Sequence, residues 1–104
     1  MIVFVVSSIR EYENDERYFG VDGVFTDPIQ AIAYIKRDIS ERIEEEKVED
    51  DDPIFLMEPL DDDIDSFMSE AIGILTAELC IWQHRYSWYV ERISVTDNTK
   101  EESK

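Results

Sequence analysis

The chain has 104 residues, 43% of them hydrophobic, and carries a formal net charge of −16. That length predicts one domain, and that apolar content predicts a folded core rather than a disordered chain. The charge argues against direct binding to DNA, RNA or an anionic membrane, whose phosphates would repel it.

Ile2 to Ser7 is a β-branched and aromatic run and reads as a buried strand. Polar Ser8 to Glu16 reads as a turn. Arg17 to Phe25 reads as a second strand, antiparallel to the first, and Gly20 and Gly23 within it point to a bulge. Thr26-Asp27-Pro28 is a helix start, with Thr26 or Asp27 as the cap and Pro28 in the first turn. Ile29, Ile32, Ile35, Ile39 and Ile43 recur at three- and four-residue steps, which predicts an amphipathic helix to about Lys47. Glu41, Glu44, Glu45 and Glu46 crowd its C-terminal end and oppose the helix dipole there, so local helix stability does not explain them.

Val48 to Pro53 reads as an acidic loop and Ile54 to Met57 as an edge strand or a tucked segment. Asp61-Asp62-Asp63 opens a further helix, at the end where negative charge suits the dipole. The stretch from Ile64 to Trp82 fits a long helix, but its alternation after Ile74 also fits a strand. The reading taken is a helix from about Asp61 to Ile72 and a strand from about Ile74 to Gln83. His84 to Ser87 then forms a turn, Trp88 to Val95 the last strand, and 97–104 a polar tail after a single domain over 1–96. The expected fold class is α+β: a small antiparallel sheet against one long amphipathic helix, with a second shorter helix.

The segments Val3-Phe4-Val5-Val6-Ser7-Ser8, Gly23-Val24-Phe25-Thr26, Ala31-Ile32-Ala33-Tyr34-Ile35-Lys36 and Trp88-Tyr89-Val90-Glu91 resemble those of small phage and bacterial proteins with a ββα…β fold. The resemblance covers roughly the first 40 residues and the last strand. It implies that fold and a mobile-element origin, and no activity. The acidic middle of the chain departs from the pattern.

That middle carries the functional expectation. From Asp38 to Glu70 there are 15 acidic residues against 2 basic ones, Arg42 and Lys47, a net −13. Self-repulsion of this size gives a folded domain no stability. Carboxylates four apart on a helix stand about 6 Å apart along the axis, a spacing of the same order as successive phosphates on a nucleic-acid strand. Glu41, Glu45 and Glu49 have it, as do Asp61 and Asp65. The expectation is a phage-type inhibitor that occupies the site of a basic nucleic-acid-binding protein, a nuclease or defence effector, by charge mimicry. Its contacts would be Glu41, Glu44, Glu45, Glu49, Asp50, Asp51, Asp52, Asp61, Asp62, Asp63 and Asp65, with Phe55 and Trp88 as hydrophobic anchors. The alternative is a non-catalytic adaptor docking through its sheet edge or through the aromatic turn around Trp82, Tyr86, Trp88 and Tyr89, the acids serving only as a solvated face.

Other chemistry has weaker support. Asp61, Asp63 and Asp65 match the first positions of a calcium loop, but Ser66 stands where glycine is needed and Ile72 where glutamate is, so no metal site is expected. Cys80 and His84 are four apart but lack an oxyanion element and an orienting partner, so no catalysis and no cofactor are expected. A single cysteine excludes an internal disulfide and suggests a reducing compartment. The opening Met-Ile-Val-Phe-Val-Val lacks the features of a secretory signal and no apolar stretch approaches about 20 residues, so the expected setting is the cytoplasm, a host's if the chain is phage-encoded.

Overall fold

The opening apolar run forms an interior strand of a sheet. The computed structural model describes residues 1–12, 16–49, 52–58, 60–70 and 72–95, with the backbone alone at 60–62. Five strands, β1 (Ile2–Glu11), β2 (Arg17–Phe25), β3 (Ile54–Met57), β4 (Ile74–Ile81) and β5 (His84–Ser94), and two helices, α1 (Pro28–Glu45) and α2 (Leu60–Met68), follow one another as β1-β2-α1-β3-α2-β4-β5. The sheet order is β2-β1-β5-β4-β3 and every pairing is antiparallel. The fold class is α+β. The tail expected over 97–104 lies outside the described residues.

Strand β1 runs on through residues whose polarity suggested a turn. Ser8 is buried there because its Oγ donates to Asp22 Oδ1 at 3.0 Å, and Glu11 still pairs with Arg17. The register shifts between Val6 and Ser7, opposite Gly23 and Val21, which leaves Asp22 as the extra residue of a bulge. The glycine pattern of β2 carried that signal.

Asp27 caps α1: its Oδ1 accepts from Ile29 N at 2.9 Å, and Pro28 follows at the first helical position. Ala31, Ile32, Ile35 and Ile39 are buried and Ile43 packs at the edge of the core, whereas Ile29 is exposed in the first turn. They meet Phe4, Val6, Leu75, Leu79, Trp88 and Val90 on one face of the sheet. Phe67 of α2 joins the same core, 5.8 Å from the Phe4 ring. Both helices therefore lie on one side.

Further boundaries differ from the sequence reading, among them the end of α1, at Glu45 rather than about Lys47. Helix α2 ends at Met68 rather than Ile72: Glu70 takes a left-handed φ of 67°, and the Phe67 carbonyl accepts from Glu70 N at 3.1 Å and from the Arg92 guanidinium. The turn between β4 and β5 is Trp82-Gln83, not His84 to Ser87. Ile81 pairs with His84, and Trp82 supplies the left-handed φ of 54° that a two-residue hairpin needs.

Candidate functional site

Every fourth residue along the second half of α1 is charged: Asp38, Arg42, Glu46. Every second residue along the facing part of β5 is aromatic: Trp88, Tyr86, His84. Four helical residues rise about 6 Å and two strand residues about 6.7 Å, so the two ladders stay in step. Trp88 Nε1 donates to Asp38 Oδ2 at 2.9 Å, the Arg42 guanidinium sits 5.4 Å over the Tyr86 ring, and Tyr86 OH donates to Glu46 Oε1 at 2.8 Å. His84 Nδ1 lies 3.3 Å from the same Glu46 oxygen. Arg42 also pairs with Asp38 at 3.6 Å and Glu45 at 3.7 Å. The Tyr12 ring closes the cluster, edge-on to His84 at 5.2 Å and to Tyr86 at 6.2 Å.

This arrangement divides the acids into two groups. Asp38 and Glu46 face inward and satisfy buried aromatic donors. Glu41, Glu44 and Glu45 lie on the opposite, exposed side of α1. Glu49 is exposed in the following turn, where its N–H donates to Asp52 Oδ2 at 2.8 Å and Asp52 N–H returns to Glu49 O at 3.0 Å. Asp65 is exposed and Asp63 half-buried on α2. Asp50 and Asp51 lie outside the described residues, as do the side chains of Asp61 and Asp62. Among the described residues, Glu41, Glu44 and Glu49 pair with no cation. The helix fixes Glu41 and Glu44 because its own inner acids anchor it to the sheet, but the expected helical row Glu41-Glu45-Glu49 does not form: Glu45 pairs with Arg42 and the helix ends before Glu49.

The two expected anchors separate. Phe55 is 55% exposed on the edge strand β3. Trp88 is 1% exposed and hydrogen-bonded to Asp38, so it is a core residue and reaches no partner. Within the aromatic segment Tyr86 is also core, Tyr89 is half-buried and Trp82 is exposed at the turn.

Cys80 and His84 do not meet as a nucleophile pair. His84 faces α1, whereas Cys80 pairs across the sheet with Arg85 and Phe55 on the other face. Burial pushes the Cys80 thiol up, away from the reactive thiolate. Among the described residues no three His, Cys, Asp or Glu side chains come together around a cation position. Two shallow cavities, of about 170 Å³ beside Ser8, Tyr18 and Asp22 and about 180 Å³ beside Tyr34, Arg37 and Glu41, fall below the ~300 Å³ at which small-molecule sites begin. Among the described residues no helix is long and apolar enough to cross a membrane.

Sequence reasoning missed a second surface. Phe19, Val21 and Val24 of β2 are exposed on the sheet face away from the helices. The signal was present: β1 is apolar at consecutive positions, the pattern of a strand covered on both faces. Compared with known proteins, the chain matches no family model, no curated protein and no solved structure.

Proposed function

We propose that this chain is a non-catalytic binding protein that presents its helical side to the nucleic-acid site of a basic protein and occupies that site in place of phosphates. The observation that carries the reading is the exposed carboxylates Glu41 and Glu44 on a helix anchored from its inner side, with Glu49 in the turn after it, none of the three paired with a cation among the described residues. Carboxylates held in place lose little entropy when they dock, and their charge steers a basic partner to them quickly. The partner class is a nuclease or defence protein of a host cell, consistent with the resemblance to phage proteins. Neither nucleic acid nor membrane is a direct ligand in this reading, and no cofactor is needed.

The test is competition. The immobilised protein is loaded with the heparin-binding fraction of a host lysate and eluted with duplex DNA. A nucleic-acid-binding protein released by DNA, and no longer captured by a folded Glu41→Lys/Glu44→Lys/Glu49→Lys variant, is the expected result. Equal capture by that variant, or a complex that DNA cannot displace, would rule out mimicry.

A further inference from the structure

The face of the sheet opposite the helices has no cover among the described residues. Alternation along each strand places Val5 and Ile9 of β1, Phe19, Val21 and Val24 of β2, and Ile93 of β5 on it, since their neighbours Phe4, Val6, Trp88 and Val90 point into the core. Phe19 is 72% exposed, Val21 63% and Val24 59%. Ile74, Phe55 and Met57 extend the same face across β4 and β3. Ser87, Thr76, Glu78 and Glu91 stand between the two groups on β5 and β4, so the exposed apolar side chains gather on β2 and at the β3 edge, and such groups mark an interaction surface.

Charge selects the occupant. Most ions on this face are paired: Glu11 with Arg17 at 3.1 Å, and Arg85 with Glu78 at 3.3 Å and Glu11 at 4.0 Å, which leaves Glu91 of β5 as its exposed carboxylate without a cation among the described residues. A basic partner finds little free charge here and an acidic one finds less. On a chain of net charge −16, this is the face that a second copy can approach with the fewest unpaired acids set against those of the first, Glu91 being the one on it among the described residues. We propose that two copies stack here, sheet against sheet about a twofold axis, with the acidic helices directed outward on opposite sides.

The area is sufficient. Strands of 10, 9, 4, 8 and 11 residues give a face on the order of 650 Å² at about 3.3 Å per residue and 4.8 Å per strand. Two such faces bury roughly 1,300 Å², inside the ~1,200–2,000 Å² of stable interfaces. Sheets packed this way lie about 10 Å apart. The acidic layers, each a helix further out, then stand well beyond the ~10 Å screening length of 0.1 M salt. The interface is isologous: residues of β1 and β5 meet their own copies near the axis.

Sedimentation equilibrium from low to high micromolar protein tests this. The mass should climb from the chain's 12.3 kDa towards twice that value, and more readily at higher salt. A Phe19→Glu/Val21→Glu variant should fold, since both side chains are exposed, and should remain monomeric. If it fails to fold, Phe55→Glu on the edge strand replaces it. Cys80, the sole cysteine and a resident of this face, gives an independent readout: its maleimide labelling should slow as wild-type concentration rises and stay constant in the variant. A constant 12.3 kDa mass would overturn the proposal. So would a dimer that salt dissociates or that the face variants leave intact. The Glu41→Lys/Glu44→Lys/Glu49→Lys protein should still dimerise, so loss of partner binding and loss of the dimer are separate outcomes.

Discussion

Asp38 and Glu46 belong to the densest acidic stretch of the chain, yet both work inward. A buried indole N–H or phenol without a partner costs about 1–3 kcal/mol, and these two carboxylates remove that cost for Trp88 and Tyr86. The Tyr86 hydroxyl is the more informative of the two. Burial first, then the hydrogen bond to Glu46 and the carboxylate's charge, push its ionisation far above the ordinary tyrosine range. The folded state therefore holds this proton more tightly than the unfolded chain does. Below the unfolded value of about 10 both states are protonated and the full stabilisation is present. Above it the unfolded chain ionises first, and stability falls as pH rises, by up to about 1.4 kcal/mol per pH unit for one group. Urea unfolding between about pH 9 and 11 should show the advantage of wild type over Tyr86→Phe shrinking with pH. Parallel profiles for the two proteins would show that the hydroxyl is not held in this way.

At the scale of elements, the end of α1 is built as a Schellman turn around a residue ill suited to it. Val48 N–H reaches Ile43 O at 3.4 Å and Lys47 N–H reaches Glu44 O at 3.1 Å, while Ile43 and Val48 both pack against the core. Lys47 adopts a left-handed φ of 54°, where glycine carries no Cβ penalty. Lys47→Gly should raise stability by on the order of 1 kcal/mol, and Lys47→Ala, which removes the same charge, should not. Equal denaturation midpoints for the two variants would contradict that account. How much of an element could be read from sequence depended on where its partners lie. Asp27-Pro28 marks the start of α1 because a cap is local, and Gly23 marks the bulge for the same reason. His84 to Ser87 looked like a turn because three of these four residues are polar. The groups that make His84 and Tyr86 suitable for a strand interior lie about 40 residues earlier, on α1. Trp88 was mistaken for a surface anchor on the same grounds: Asp38, 50 residues away, satisfies its indole N–H. The apolar second face of the sheet was legible in β1, but its lack of cover was not, for a different reason. Periodicity shows that a face is apolar, and not whether the chain itself supplies its cover.

The molecule is two-sided, with free carboxylates on the helical side and a more apolar face, whose ions are mostly paired, on the other. This division gives salt opposite effects on two properties. A folded chain of net charge −16 repels itself, and the unfolded chain relieves that repulsion by expanding. Shortening the screening length from about 10 Å at 0.1 M to about 3 Å at 1 M should therefore stabilise the fold. Relief of about 1 kcal/mol would raise the melting temperature by roughly 4–8 °C in a domain of this size. The melts belong at low micromolar protein, where dimerisation adds nothing. Glu41→Gln/Glu44→Gln/Glu49→Gln should begin from a higher melting temperature at low salt and gain less from added salt, because these three charges are part of what the salt screens. Over the same range, binding to a basic partner should weaken, since screening removes the attraction that steers it. A fold that salt leaves unchanged would mean that the acidic helical side stores little repulsion. The carboxylates would then be too well solvated to exchange water for a partner's cations at a gain, and the mimicry reading would lose its electrostatic basis.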